Sequence, residues 1–148
     1  MSEVTVHIDI DAPAEVVFDT MLDPRRLHEW VTIHRELLSA DAGPPVLGMR
    51  MENRLSLRGA PFKVQWTLTD LQRPHHARWT GRGPARSTAE TEYRLAHLDG
   101  GATRFSYRNH FAPPFGPLGA VASRALVGGL PEVEAQRSLE NLKDLLER

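Results

Sequence analysis

The chain has 148 residues, 41% of them hydrophobic, and no cysteine, which is enough for one domain to fill a core unaided and excludes disulfides, thiolate metal sites and cysteine nucleophiles. Eighteen basic residues against nineteen acidic ones leave a net charge of -1, so no overall electrostatic pull toward nucleic acid or anionic membrane is expected. All the lysine and arginine positions except Lys63 and Lys143 are arginine.

Met1-Ser2-Glu3-Val4 lacks the basic region and apolar run of a secretory signal, so a cytoplasmic location is expected. The most apolar stretch, Leu118 to Leu130, is interrupted by Arg124 and is shorter than the roughly 20 residues that cross a bilayer. No repeat or linker divides the chain, and 1–148 is expected to form a single domain.

Residues 3–10 alternate, with Val4, Val6, Ile8 and Ile10 on one face, as a half-buried strand does. Asp11-Ala12-Pro13 stops that strand and starts a short helix with Val16, Val17 and Met21 or Leu22 as its apolar stripe; Asp23-Pro24 opens a second short helix through Trp30. A strand is expected over 31–39, and Gly43-Pro44-Pro45 forces a loop. Met49, Met51, Asn53, Leu55 and Leu57 then share one face of the clearest period-2 segment. The turn Arg58-Gly59-Ala60-Pro61 leads into Phe62, Val64, Trp66 and Leu68. Arg73-Pro74 turns into a short strand around Ala77 and Trp79. A loop from Gly81 leads into 87–97, and Asp99-Gly100-Gly101 signals a hairpin into 102–111. From Leu118 to Leu146 apolar residues recur at helical spacing, so a long helix is expected, kinked or broken near Gly128-Gly129-Leu130-Pro131.

That order is α+β, and it leaves the sheet to bury its apolar face against the last helix. Together with Ile10-Asp11-Ala12-Pro13-Ala14-Glu15-Val16-Val17-Phe18, Asp23-Pro24 with Trp30, Tyr93-Arg94-Leu95 followed by Gly100-Gly101, and Leu139-Glu140-Asn141-Leu142-Lys143, it resembles the START/Bet v1-like helix-grip (SRPBCC) superfamily, particularly its bacterial polyketide cyclase/dehydrase and lipid-transport branch. The resemblance covers nearly the whole chain and none of its features is a catalytic signature. It implies a curved seven-stranded antiparallel sheet wrapped around a long C-terminal helix, with two short helices between strands 1 and 2. It also implies a cavity between sheet and helix for a hydrophobic small molecule; with no nucleotide, dinucleotide or metal motif in the sequence, no cofactor is expected.

Parity supplies the candidate ligand-binding residues. Asn53 interrupts an otherwise apolar face, and a buried amide must find a ligand, water or polar side chain; Asn109, in register with Phe105, Tyr107 and Phe111, is available as its partner. A bulge or strand end is the alternative placement for either amide. Tyr107 carries an apolar ring and a hydroxyl suited to a pocket wall, as do Tyr93 and the indoles of Trp66 and Trp79, although the indoles suit a plain core equally. Candidate catalytic residues are Tyr107, His34, if it faces inward rather than outward, and Asp70, which shares the parity of Trp66 and is otherwise solvated at the strand end. Some cyclases of the resembled branch carry an arginine where Asp70 stands. Gly119, Ala120, Ala122, Ser123, Ala125 and Gly128 fit a helix face that leaves volume unfilled, or one that packs closely on the sheet. The 43–48 and 81–86 loops are candidate gates.

His75 and His76 are adjacent and point to opposite faces of a strand, and His28-Glu29 with His34 lacks the four-residue spacing of two zinc ligands, so no metal site is expected. Nucleophile elbows, phosphate loops and dinucleotide fingerprints are missing from the sequence. The expected function is binding of a hydrophobic or aromatic molecule. The alternatives are a polyketide cyclase/dehydrase-type enzyme using the same cavity and a stress-related or co-chaperone interaction module, with the oligomeric state open.

Overall fold

In the computed structural model, which describes residues 2–57, 59–112 and 130–148, seven strands form one antiparallel sheet in the order β1-β7-β6-β5-β4-β3-β2. They are β1 (Ser2–Ile10), β2 (His34–Ala40), β3 (Arg50–Leu57), β4 (Ala60–Gln72), β5 (His76–Arg82), β6 (Thr88–His97) and β7 (Thr103–Ala112). Helix α1 (Ala14–Leu22) and a 3-10 helix (Pro24–Glu29) lie between β1 and β2, and helix α2 (Leu130–Leu146) closes the chain. The expected helix face from Gly119 to Gly128, the break at Gly128-Gly129 and Arg58 of the β3–β4 turn lie outside the described residues.

Local chemistry explains the connections. On α1 the buried residues Ala14, Val17, Phe18, Met21 and Leu22 follow the helical period. Val16, expected in that stripe, is instead 45% exposed, because one residue turns the helix by about 100° and carries it off the face that Val17 and Met21 share. Asp23 accepts a hydrogen bond from the Arg25 backbone N–H at 3.0 Å, capping the 3-10 helix that begins at Pro24.

One face of the sheet is the core side. Ile10, Leu68, Ala77 and Phe105 are buried there, and α2 brings Leu139 and Leu142 to the same cluster. Helix α2 packs chiefly on β1. The Lys143 ammonium donates to the Asp9 carbonyl at 2.8 Å, and Glu147 accepts from the Asp11 backbone N–H at 2.8 Å. Toward its other end, Ser138 Oγ accepts from the Thr32 N–H at 3.0 Å, Thr32 Oγ1 donates to Glu134, and Asn141 donates to the Trp30 carbonyl at 3.2 Å. The helix thus holds both the end of β1 and the segment that leads into His34.

Two strands break their alternation. In β2 the pairing with β3 shifts between His34 and Glu36 and again between Leu37 and Ser39. In β4 the pairing with β5 shifts between Leu68 and Asp70. Each irregularity changes which face the following side chains take: in β4 it decides the face of the candidate Asp70, and in β2 it breaks the link in parity between His34 and Leu37.

Candidate functional site

Strand β3 keeps strict parity, so Met51, Asn53 and Leu55 face the core side as expected. Asn53 is 3% exposed, and its partners come from the two neighbouring strands. Trp66 Nε1 on β4 donates to Asn53 Oδ1 at 3.0 Å, and Asn53 Nδ2 lies 3.3 Å from His34 Nδ1 on β2. Asn109, the partner expected from the sequence, is four strands away on β7. It donates instead to Thr91 Oγ1 at 2.9 Å and Tyr107 Oη at 3.2 Å, because Thr91 is its cross-strand neighbour.

The chain Trp66–Asn53–His34 has only one consistent proton arrangement. An indole N–H is solely a donor, so the amide oxygen of Asn53 must face Trp66 and the NH2 must face His34. His34 Nδ1 therefore accepts, and the imidazole carries its proton on Nε2. Burial, with help from the nearby charges of His28 and Arg35, pushes the His34 pKa below its ordinary value. The ring is thus a neutral donor through Nε2–H, not the general base suggested by a free histidine. Its inward placement follows from its pairing with Leu55, and the two β2 shifts keep later residues on its face: Leu37 pairs with Asn53 and Ala40 with Met51, spacings of three residues along β2 where an unbroken strand would allow only even ones.

One residue that sequence reasoning passed over supports the chain. Gly81, expected to open a loop, lies within β5 directly opposite Trp66. A Cβ placed on Gly81 would come within 2.6 Å of the Trp66 ring and 2.9 Å of Val64. The indole therefore lies across bare backbone, the close approach that a glycine inside a strand marks. Such a glycine between Trp79 and the next loop was the available signal.

The remaining aromatic candidates gather on β5, β6 and β7. Tyr93 and Tyr107 are cross-strand partners with ring centroids 5.9 Å apart. Phe105 packs edge-on against both Tyr93, at 5.6 Å, and Trp30, at 6.2 Å. Burial pushes the hydroxyl pKa of Tyr93, and that of Tyr107, above the ordinary value, so both are neutral phenols. Trp79 is buried on the same side. Trp30 Nε1 is buried without an acceptor among the described residues, an arrangement that costs about 1–3 kcal/mol unless something accepts from it.

Asp70 lies elsewhere. The β4 irregularity pairs it with Arg78 and turns it to the opposite face of the sheet from Trp66, correcting the parity expected from the sequence. There it meets His76 Nδ1 at 2.8 Å, without the alignment of a hydrogen bond, while His76 Nε2 reaches Glu92 at 3.0 Å. Arg94 donates to Glu92 at 3.2 Å, and Arg108 stands 3.7 Å from it. Burial raises the pKa values of Glu92 and Asp70, but the contacts with His76, Arg94 and Gln72 outweigh it and both end below the ordinary carboxylate values.

Two recesses of about 450 Å³ each open on the surface, one over this outer cluster and one between α1 and the 43–45 loop. Neither is lined by His34, Asn53, Trp66, Tyr93, Tyr107 or Asn109. Among the described residues no group of three or more histidine and carboxylate side chains is arranged to hold a metal ion, and no helix is long and apolar enough to cross a membrane.

Known proteins are similar along nearly the whole chain. Toxin Rv0910 of Mycobacterium tuberculosis is 26% identical over 145 residues, covering 95% of each chain. Among solved structures, TTHA0849 from Thermus thermophilus superposes with a TM-score of 0.79 at 18% identity over 99% of this chain and 97% of its own. CV1439 from Chromobacterium violaceum does so with a TM-score of 0.74 at 20% identity over 99% and 97%. These neighbours establish the helix-grip fold. The profile of the family described as "Polyketide cyclase / dehydrase and lipid transport" matches residues 1–147, and the chain belongs to that family.

Proposed function

We propose that the protein binds a hydrophobic or aromatic small molecule, lipid-like or polyketide-like, between the core side of the sheet and its C-terminal helix, acting as one START/Bet v1-like domain. Family membership supports a ligand-binding role. The observation that carries the reading is the Trp66–Asn53–His34 chain. Burying an amide and an imidazole among Met51, Leu55 and Val64 costs stability relative to an apolar core, and a neutral donor kept at that cost suits recognition of a ligand. Tyr93, Tyr107, Trp79 and Asn109 supply the wall, flat aromatic surface with a few polar atoms.

Native mass spectrometry of the purified protein tests this, followed by organic extraction of any adduct. A co-purifying apolar compound, or saturable quenching of tryptophan fluorescence by 2-acetylnaphthalene that Trp66→Ala weakens, is the expected result. No adduct and no saturable quenching would overturn the reading.

The presence of His34 and Tyr107 at inward positions favours a second reading, an enzyme of the cyclase/dehydrase type in which proximity folds a reactive chain and these two groups donate protons. Asp70, on the outer face, takes no part in it. Turnover of a linear poly-β-ketone that is lost in His34→Leu would separate catalysis from binding alone.

A further inference from the structure

We infer that the inner face selects an uncharged ligand whose carbonyl-type oxygen accepts a hydrogen bond from His34 Nε2–H, and that Asn53 and Trp66 are positioning residues that hold His34 in this donor form. The inference rests on the reading that the inner face is a ligand site, and it names the chemistry that site would take.

Three observations converge. First, the proton arrangement has a single solution. Trp66 can only donate, Asn53 is thereby oriented, and His34 Nδ1 is left as the acceptor. Nε2–H then has no acceptor among the described residues. Protonating His34 would set an N–H of the imidazolium against the NH2 of Asn53, so the chain itself opposes the charged form. Second, two further polar groups on this side can donate and are neutral: the Trp30 indole N–H has no acceptor among the described residues, and Tyr93 is held as the phenol. Third, the positions of the seven strands that share the face of Asn53 and Phe105 carry no aspartate, glutamate, lysine or arginine. A carboxylate ligand would lose its hydration there with no cation on the sheet to replace it, whereas a ketone gives up little and gains the donors. Carbonyl recognition by a neutral imidazole is therefore the chemistry for which the face is equipped.

The test has a ligand-free arm and a ligand arm. In nitrogen-labelled protein at neutral pH, the ring shifts of His34 should report the neutral Nε2–H tautomer. Asn53→Asp replaces the NH2 with a second acceptor, so the tautomer should reverse to Nδ1–H and the ring should become easier to protonate. Should Asn53→Asp fail to fold, Trp66→Phe frees the amide to rotate and should produce a mixture of tautomers. In the ligand arm, 2-acetylnaphthalene, 2-isopropylnaphthalene of nearly the same shape, and 2-naphthoate are titrated against the native protein. The ketone should bind about tenfold more tightly than the hydrocarbon, the magnitude of one neutral hydrogen bond, and more tightly than the carboxylate. That preference should collapse in Asn53→Asp or Trp66→Phe.

An Nδ1–H or charged His34 in the native protein would overturn the inference, as would equal binding of ketone and hydrocarbon or tighter binding of naphthoate. Failure of all three probes to bind, with the Nε2–H tautomer intact, would instead overturn the ligand-site reading and this inference with it.

Discussion

The two faces of the sheet each hold a histidine, and the two rings have partners of different kinds. On the inner face His34 touches an amide oriented by an indole, with no carboxylate in its chain. On the outer face His76 stands between the carboxylates of Asp70 and Glu92, with Arg94 and Arg108 beside them. The inner chain is held by the directionality of neutral hydrogen bonds and fails if one donor is misplaced. The outer cluster gathers several charged groups around the buried Glu92, and its exposed member Arg94 is the replaceable one. Position in the fold, not residue type, sets what a histidine does here.

Breaking the inner chain should therefore cost far more than breaking the outer one. The largest effect is expected from Gly81→Val, whose side chain must displace the Trp66 ring and Val64; overpacking of this kind costs about 1–3 kcal/mol or more, read as a lower thermal midpoint with altered tryptophan fluorescence. Next comes Asn53→Leu, which leaves the Trp66 N–H and the His34 ring without their buried partner and should destabilise by about 1–3 kcal/mol. A double-mutant cycle with Trp66→Phe should show less than additive loss, because both changes remove the same bond.

Acid titration separates the faces further. The folded-state pKa of His34 is lowered, so the unfolded chain takes up its proton first. The contribution of His34 to stability should fall as pH drops below the ordinary histidine value of 6.5 and level off below the folded pKa. Asp70 and Glu92 are also lowered, from ordinary values of 3.8 and 4.5. Their stabilisation is complete above those values and is lost as pH falls through the lower folded ones. Comparing unfolding of the native protein with His34→Leu and with Glu92→Gln should place the first difference near neutrality and the second in acid. The smallest effect belongs to Arg94→Ala: its side chain is 69% exposed, and a change within about 0.5 kcal/mol is expected.

Where a strand stays regular, its sequence already states which side chains are buried. The alternation of β3 put Asn53 among Met51 and Leu55, and that of β7 put Tyr107 and Asn109 on the face of Phe105 in the same way. The hairpin glycines, the proline-opened 3-10 helix and the apolar period of the last helix were likewise legible, because each depends on neighbours a few residues away.

What alternation could not supply was the position of an irregularity. One extra residue in β4 leaves local composition unchanged yet reverses the side chains after it, so Asp70 turned outward only once β5 was in place beside it, and the two shifts in β2 hid from alternation that His34, paired with Leu55, shares a face with Leu37 and Ala40. Partner choice was non-local in the same sense. Asn53 and Asn109 share a face but are separated by the width of three intervening strands, while His34 and Trp66 reach Asn53 from either side. The sequence by itself determined the order of the elements and the faces of the regular strands, since these follow from short-range periodicity. Only the tertiary structure decided the bond between Trp66 and Asn53, the glycine beneath that indole and the nitrogen on which His34 carries its proton, because each depends on the register between strands.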